Sequence, residues 1–332
     1  MSEKNLIGPW IRRFLMEHLV GERNLAHNTQ TSYRDTLALG LPYVAAKVKK
    51  PLDRLTIEHL SPTMIRLFLL HIEQDRRCSV ATRNQRLAAI HALARFIGDR
   101  NPEHLAWCTE VRAIPFKKTS RPAMAYLDKP EMDAILDAPN KSTSQGFRDY
   151  ALLLFLYNTG ARADEAAHVT ISDLDLNQSP SVKIIGKRSK MRFCPLWSLT
   201  VNSLRVLVHG RPDNQSVFLN CRGQAITRFG IHALVKRYVF KARLRVPSLG
   251  NKKVSAHTIR HTTAVHLLRA GVDINTIRAW LGHVSLDTTH VYAEIDLEMK
   301  AKALAHCEIF SSDQTTKGWK DQPGLLAFLK TL

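Results

Sequence analysis

The residues best suited to chemistry lie between positions 255 and 292, in the stretch SAHTIRHTTAVHLLRAGVDINTIRAWLGHVSLDTTHVY. HTIRH supplies His257, Arg260 and His261, LGH supplies His283, and Tyr292 follows nine residues later. Arginine grips phosphate oxygens with a planar fork, and histidine takes up or gives a proton near neutral pH. A tyrosine oxygen is a weak nucleophile until it is placed and activated. Gathered in one cleft, His257, Arg260, His283 and Tyr292 suit attack of Tyr292 on a phosphodiester. The stretch has no acidic cage of the kind that holds magnesium.

To meet in one cleft, these residues need short helices and tight turns. Ala264, Leu267 and Leu268 recur at helical spacing up to Gly271, a natural residue for the position just past a helix end. Asp273 can cap a second helix that runs through Trp280 and stops at Gly282. Ser285 or Asp287 can cap a third, with Tyr292 inside it or just beyond. Three short helices folding back on one another would bring the four side chains together.

HTIRH, then LGH, then TTHVY, in this order and spacing, resemble the C-terminal signature of the tyrosine recombinases, the phage integrase and Xer-type family. The family's remaining motifs have counterparts upstream. NTGARADE holds Arg162 in a T-G-x-R-x-x-E pattern, and IIGKRSKMR holds Lys187 in a stretch that reads as a hairpin turn. A lone HxxR carries no information, whereas six matching positions in order between 162 and 292 do.

The resemblance implies roles. Tyr292 would attack the scissile phosphate and leave a covalent 3′-phosphotyrosine. Arg162 and Arg260 would clamp the non-bridging oxygens, where charge grows in the pentacovalent transition state. His257 would accept the Tyr292 proton and later return it, and His283 would hydrogen-bond a phosphate oxygen. Lys187 would protonate the departing 5′ oxygen. Arg188 stands where the family's turn usually has a second glycine, so Lys190 is the alternative donor. Glu165, three residues after Arg162, would hold that arginine in place. No cofactor, ATP or metal enters this scheme. Full recombination would take four active sites. The resemblance therefore implies a homo-tetramer on double-stranded DNA carrying a specific recombination site, with or without accessory recombinase subunits.

Composition agrees with that partner. The 332 residues leave room for two domains, each with its own core. Lys and Arg total 48 against 29 Asp and Glu, a formal charge of +19, which points to a polyanion and to nucleic acid first. The five cysteines, Cys78, Cys108, Cys194, Cys221 and Cys307, are widely spaced and form no CxxC. They read as reduced thiols rather than a disulfide framework or a zinc site. Residues 10–20 are interrupted by Arg12, Arg13, Glu17 and His18, so no signal-peptide core is present there. The longest apolar run, 150–157, is too short to span a bilayer. A soluble, cytoplasmic protein with no membrane partner is expected.

Residues 1–110 read as helical. Ile7, Trp10, Ile11 and Phe14 share a face, and Asn28 or Thr29 can cap the next helix. Ser61-Pro62 opens a third over Ile65, Phe68, Leu69 and Ile72, and Ser79 a fourth with Leu87, Ile90, Ala94 and Ile97 buried. Arg83 and Arg86 are expected on the open face of that fourth helix, within reach of DNA phosphates. The region is similar to the family's helical core-binding, SAM-like domain.

Residues 111–126 form a basic, proline-punctuated connector whose Lys117 and Lys118 are candidates to follow a DNA backbone. Residues 127–310 form the expected catalytic domain. Helices open after Asp128, over 147–157 and near Arg162. Strands over 182–185 and 191–196 flank a basic turn in which Arg188 and Lys190 are further DNA-contact candidates. A short strand at 217–219 is also expected. Residues 311–332 form a tail whose Leu325, Leu326, Phe328 and Leu329 need a docking surface, on their own catalytic domain or on a neighbouring subunit. The fold expected is mainly α, with one small antiparallel β-sheet in the catalytic domain.

Three other readings compete. His257 and His261 are four apart, as zinc ligands are in HExxH, but residue 258 is threonine where that motif needs glutamate. A non-catalytic DNA-binding regulator would also use short helices with glycine turns, and would bind DNA without forming an adduct. A type IB topoisomerase would share the chemistry without joining two sites, and the two-domain layout favours a recombinase. Among recombinases, the long tail after Tyr292 favours an integrase or transposase of a mobile element over a housekeeping Xer-like resolvase.

Overall fold

The computed structural model describes residues 5–119, 125–186 and 190–282, and the chain divides into two units, Met1–Pro122 and Ala123–Leu332. In the first unit, helix α1 (Ile7–Arg13) runs into a π-helical segment, Phe14–Glu22. Helices α2 (His27–Val48), α3 (Pro62–Gln74), α4 (Val80–Gly98) and α5 (Leu105–Arg112) follow. Ser61 and Ser79 start α3 and α4 as expected, their hydroxyls accepting the N–H groups of Met64 and Thr82 at 3.2 Å. Such a cap is worth about 1 kcal/mol. Helix α2 departs from expectation. It begins at His27 behind Ala26 with no side-chain cap, and Gln30 reaches back to the Leu25 carbonyl instead. Two apolar clusters fill the unit, one around Phe14, Leu55 and Phe96, the other around Phe68, Leu87 and Val111.

Arg83 and Arg86 do not lie on an open face. Helix α4 packs against α2, α3 and α5 at once, so little of its surface faces water. Arg83 is 6% exposed and donates Nη1 to the Pro115 carbonyl at 2.9 Å. Arg86 is half-buried and donates to the Ser32 carbonyl and the Thr36 hydroxyl. A buried guanidinium has to find acceptors, and these are the ones in reach. The first residues of the basic connector also belong to this unit. Val111 and Ile114 are buried in its core, and the Asn84 amide both accepts from the Lys117 N–H and donates to the Lys117 carbonyl. Lys117 pairs with Glu73 at 2.7 Å, and Lys118 is exposed.

The second unit holds α6 (Lys129–Asp137), α7 (Ser144–Thr159), α8 (Ala163–His168), α9 (Ser198–Val208), α10 (Arg228–Ala242), α11 (Ala256–Arg269) and α12 (Ile274–Leu281). Helix α7 is apolar nearly all round, so it must be wrapped, and α6, α9 and α11 pack on it. Between α8 and α9 lies an antiparallel sheet in the order β1 (Leu174–Asp175), β2 (Ser181–Ile185), β3 (Met191–Pro195), with Val182 opposite Cys194. Residues 217–219 form no strand. Only the isolated bridges Thr170–Ser216 and Leu219–Ala225 occur there. The fold is mainly α with one small antiparallel sheet, and no helix among the described residues is long and apolar enough to cross a membrane.

Candidate active site

The turn after α7 is the hub of the site. Asn158 and Thr159 end the helix, and Gly160 adopts φ +60°. A methyl group on its Cα would lie 2.4 Å from Leu281 Cδ2, so both the backbone angle and the space require glycine. Two residues on, Arg162 occupies the N-cap position of α8. Its N–H donates to Glu165 Oε2 at 2.9 Å and its Nη1 to Glu165 Oε1 at 2.6 Å. The Arg162 side chain is 41% exposed and lines a cleft of about 780 Å³ together with Gly186, Lys190, Arg192, Trp280 and Gly282.

Helix α11 supplies the next two groups. Ser255 caps it, which places His257 in the first turn and Arg260 in the next. Arg260 is 1% exposed. Its Nη1 donates to the Gly160 carbonyl at 2.7 Å and its Nη2 to the Leu281 carbonyl at 2.6 Å. His257 is solvent-exposed, with its ring 4.3 Å from that of His261. Desolvation by the surrounding protein, then the positive charges of Arg260 and Arg162, hold the His257 imidazole below the usual histidine range. It is therefore neutral at pH 7 and able to accept a proton. His261, more enclosed, is pushed down to about 4.

Helix α12 closes the arrangement. Asp273 caps it, accepting from the N–H groups of Asn275 and Thr276, and Gly282 ends it at φ +65°. The last carbonyls of a helix lack partners within it. Here the Leu281 carbonyl accepts from Arg260, and the Trp280 carbonyl accepts from Arg192 Nε at 2.9 Å and from the Cys194 thiol at 3.3 Å.

Arg192 ends the IIGKRSKMR stretch, but the motif reading assigns it no role. It is 9% exposed, and its Nη2 donates to Glu165 Oε2 at 2.7 Å. Burial pushes the Glu165 carboxyl up. Arg192, and then the bonds from Arg162, overcome that and hold it down to about 2. The sequence does carry a signal for Arg192. MRFCP alternates, and an ordinary inward-apolar strand would bury Met191 and Phe193. The structure does the reverse, burying Arg192 and Cys194 while Met191 and Phe193 are 65% and 67% exposed.

Of the residues singled out from the sequence, Arg162, Glu165, His257 and Arg260 come together, and Lys190 lines the same cleft as Arg162. Lys187, Arg188, His283, Tyr292, the helix expected after Ser285 and the tail at 311–332 lie outside the described residues. Arg83, Arg86, Lys117 and Lys118 belong to the first unit.

The Phage integrase family matches residues 125–299, and the Phage integrase, N-terminal SAM-like domain matches residues 11–101. The candidate integrase/recombinase y4rC of Sinorhizobium fredii is 35% identical over 334 residues, covering 100% of both chains. Tyrosine recombinase XerC of Pelotomaculum thermopropionicum is 32% identical over 88% of this chain and 95% of its own. Among solved structures, the Tn1549 transposon integrase in complex with transposon right end DNA aligns over 90% of this chain and 99% of its own, with a TM-score of 0.67 and 16% identity. The XerH site-specific recombinase bound to palindromic difH substrate aligns over 86% and 82%, with a TM-score of 0.64 and 24% identity. At those identities the structures speak for the fold, and the sequence matches for the lineage. The chain belongs to the phage integrase family of tyrosine recombinases, which act by DNA cleavage and religation.

Proposed function

We propose that this protein is a site-specific DNA recombinase of the integrase type, breaking and rejoining strands through a covalent 3′-phosphotyrosine on Tyr292. The observation that carries the reading is the convergence of Arg162, His257 and Arg260 about the Gly160 turn, with both guanidinium charges acting on one imidazole. Arg162 and Arg260 bind the non-bridging oxygens of the scissile phosphate, and His283 adds a hydrogen bond. The Tyr292 hydroxyl gives its proton to neutral His257 as its oxygen attacks phosphorus. The bond from phosphorus to the 5′ oxygen breaks, and Lys187, or Lys190 from the cleft, protonates that oxygen. The reverse sequence, with a 5′ hydroxyl from another strand, rejoins the backbone. One phosphodiester is exchanged for a phosphotyrosyl bond of similar energy, so the scheme calls on neither ATP nor metal.

The first unit acts as a core-binding domain and residues 127–310 as the catalytic domain, joined by a basic connector. Lys117, Lys118, Arg188 and Lys190 contact DNA phosphates. Arg83 contributes from inside its unit by holding the Pro115 carbonyl of the connector, and Arg86 by tying α4 to α2. A homo-tetramer on two DNA sites, in the cytoplasm, is the working assembly, with residues 311–332 as a docking tail. A mobile element is the proposed source, supported by 35% identity along the whole of y4rC, whose name gives integrase/recombinase. The second reading, a housekeeping Xer-like resolvase, is favoured by the 32% identity to a XerC that the alignment covers over 95% of its length.

Covalent trapping tests the reading. The protein is incubated with fragmented source DNA without metal, denatured in detergent, and any DNA still attached is sequenced. Adducts with wild type that vanish in Tyr292→Phe, while DNA binding persists, are expected. Shared flanks then reveal the target and separate element ends from a chromosomal resolution site. Clear binding by wild type without any adduct would overturn the catalytic reading.

A further inference from the structure

Arg192 ties together segments that carry the site. Its Nη2 holds Glu165 Oε2, its Nε holds the Trp280 carbonyl, and its Cδ and Nη1 crowd the backbone at Gly282, where a methyl group would lie 3.1 and 3.4 Å from them. Glu165 therefore divides its oxygens. Oε1 takes the Arg162 guanidinium, while Oε2 takes Arg192 and the Arg162 N–H.

The division matters for charge. A carboxylate facing one guanidinium takes it in a two-pronged grip and cancels it. Arg162 would then be drawn back against α8 and would face the cleft as half of a neutral pair. With Arg192 behind it, the carboxylate is shared between two cations and Arg162 keeps a positive surplus toward the cleft. A buried pair kept only for stability is commonly replaceable by apolar residues. This one reaches two segments of the cleft wall, and Arg192 itself lines the cleft.

We infer that Arg192 is a positioning residue for DNA cleavage: it anchors Glu165 so that Arg162 meets the scissile phosphate with its charge uncancelled, and it pins the end of α12 beside them. The inference rests on the reading of Arg162 as a phosphate-binding residue. It gives a role to a residue to which the motif reading assigned none.

The test compares wild type, Arg192→Met and Arg192→Lys on a duplex carrying the site recovered by covalent trapping. One form has an ordinary scissile phosphate and the other an uncharged methylphosphonate at that position. Wild-type adduct formation is secured by the trapping experiment, so failure here falls on Arg192 and not on the recombinase reading. Arg192→Met is expected to bind DNA within about twofold of wild type and to form adduct about 100-fold more slowly on the phosphate, the pattern of a lost transition-state interaction. Arg192→Lys, which keeps the charge, is expected to recover about tenfold of that loss. On the methylphosphonate, which gives Arg162 less charge to stabilise, the gap between wild type and Arg192→Met should narrow to below about tenfold. An equal loss on both substrates would mean general damage and would overturn the inference, as would cleavage by Arg192→Met at the wild-type rate. If Arg192→Met does not fold, Arg192→Gln is held to the same criteria.

Discussion

Replacing Glu165 by glutamine tests how the cleft holds its charges. The carboxyl is 6% exposed and is held at about 2 against an ordinary 4.5. A fall of that size makes the ionised group worth about 3 kcal/mol of stability at neutral pH. The folded value lies below the unfolded one, so this contribution is complete well above pH 4.5 and is lost as pH falls through the folded value. About 1 kcal/mol of it should be gone by pH 4 and about 2 kcal/mol by pH 3. Glutamine keeps one acceptor but turns an amide toward a guanidinium, leaving Arg192 buried without its counter-charge. Removing one member of such a pair commonly costs about 3–5 kcal/mol, which agrees with the figure from the carboxyl. Glu165→Gln should thus cost about 3 kcal/mol at pH 7 and about 2 kcal/mol at pH 4. Hydrogen exchange of the α8 and β3 amides is the suitable assay, because two units need not unfold together. A cost below about 1 kcal/mol at pH 7, or one that does not shrink toward acid, would refute the claim that ionic anchoring dominates here.

His257 and Gly160 give two further tests. The His257 imidazole is held below 6.5 by desolvation from the surrounding protein and by two arginines, so its neutral form persists into mildly acidic solution. With DNA well below saturation, where the rate reports the free protein, adduct formation should stay level from about pH 8 to about pH 6.5 and decline only below that. An acidic limb centred above the ordinary histidine value under those conditions would count against His257 as proton acceptor. His257→Gln should slow adduct formation at least about 100-fold without loss of DNA binding. Gly160→Ala must adopt φ +60° and drive a methyl group into Leu281. It should lower stability by about 3 kcal/mol in thermal melting, and a variant melting with wild type would show that the turn can relax.

What the sequence made legible was local. Ser61, Ser79, Asp128 and Asp273 start helices through bonds to N–H groups at most three residues away, and Gly160 and Gly282 stop them through their own backbone angles. The Arg162–Glu165 pair sits on one helical turn and could be read from spacing. The misplaced and the overlooked residues depend on distant partners. Arg83 finds its acceptor 32 positions along the chain, and Arg192 reaches partners 27 and 88 positions away. No periodicity encodes such a match. In β3 the distant match inverts the pattern, because an ion pair and a carbonyl on the inner side outweigh the burial of Met191 and Phe193.

The anchoring of the arginines bears on catalysis as well as on shape. Arg260 is held by the carbonyls of Gly160 and Leu281, which orient its plane without cancelling its charge. A helix C-terminus, where partial negative charge collects, is a favourable place for such a cation. Arg162 and Arg192 share one carboxylate. Among the described residues, that pair of guanidiniums against one carboxylate leaves a positive surplus beside the cleft. That surplus attracts a phosphodiester, and, after desolvation, the Arg260 and Arg162 charges hold the His257 imidazole below the usual histidine range. In the proposed reaction, an arriving phosphate offsets the surplus, so the proton affinity of His257 rises as the substrate binds. The base becomes stronger at the step in which Tyr292 must lose its proton, and one charge arrangement thereby couples phosphate binding to activation of the nucleophile.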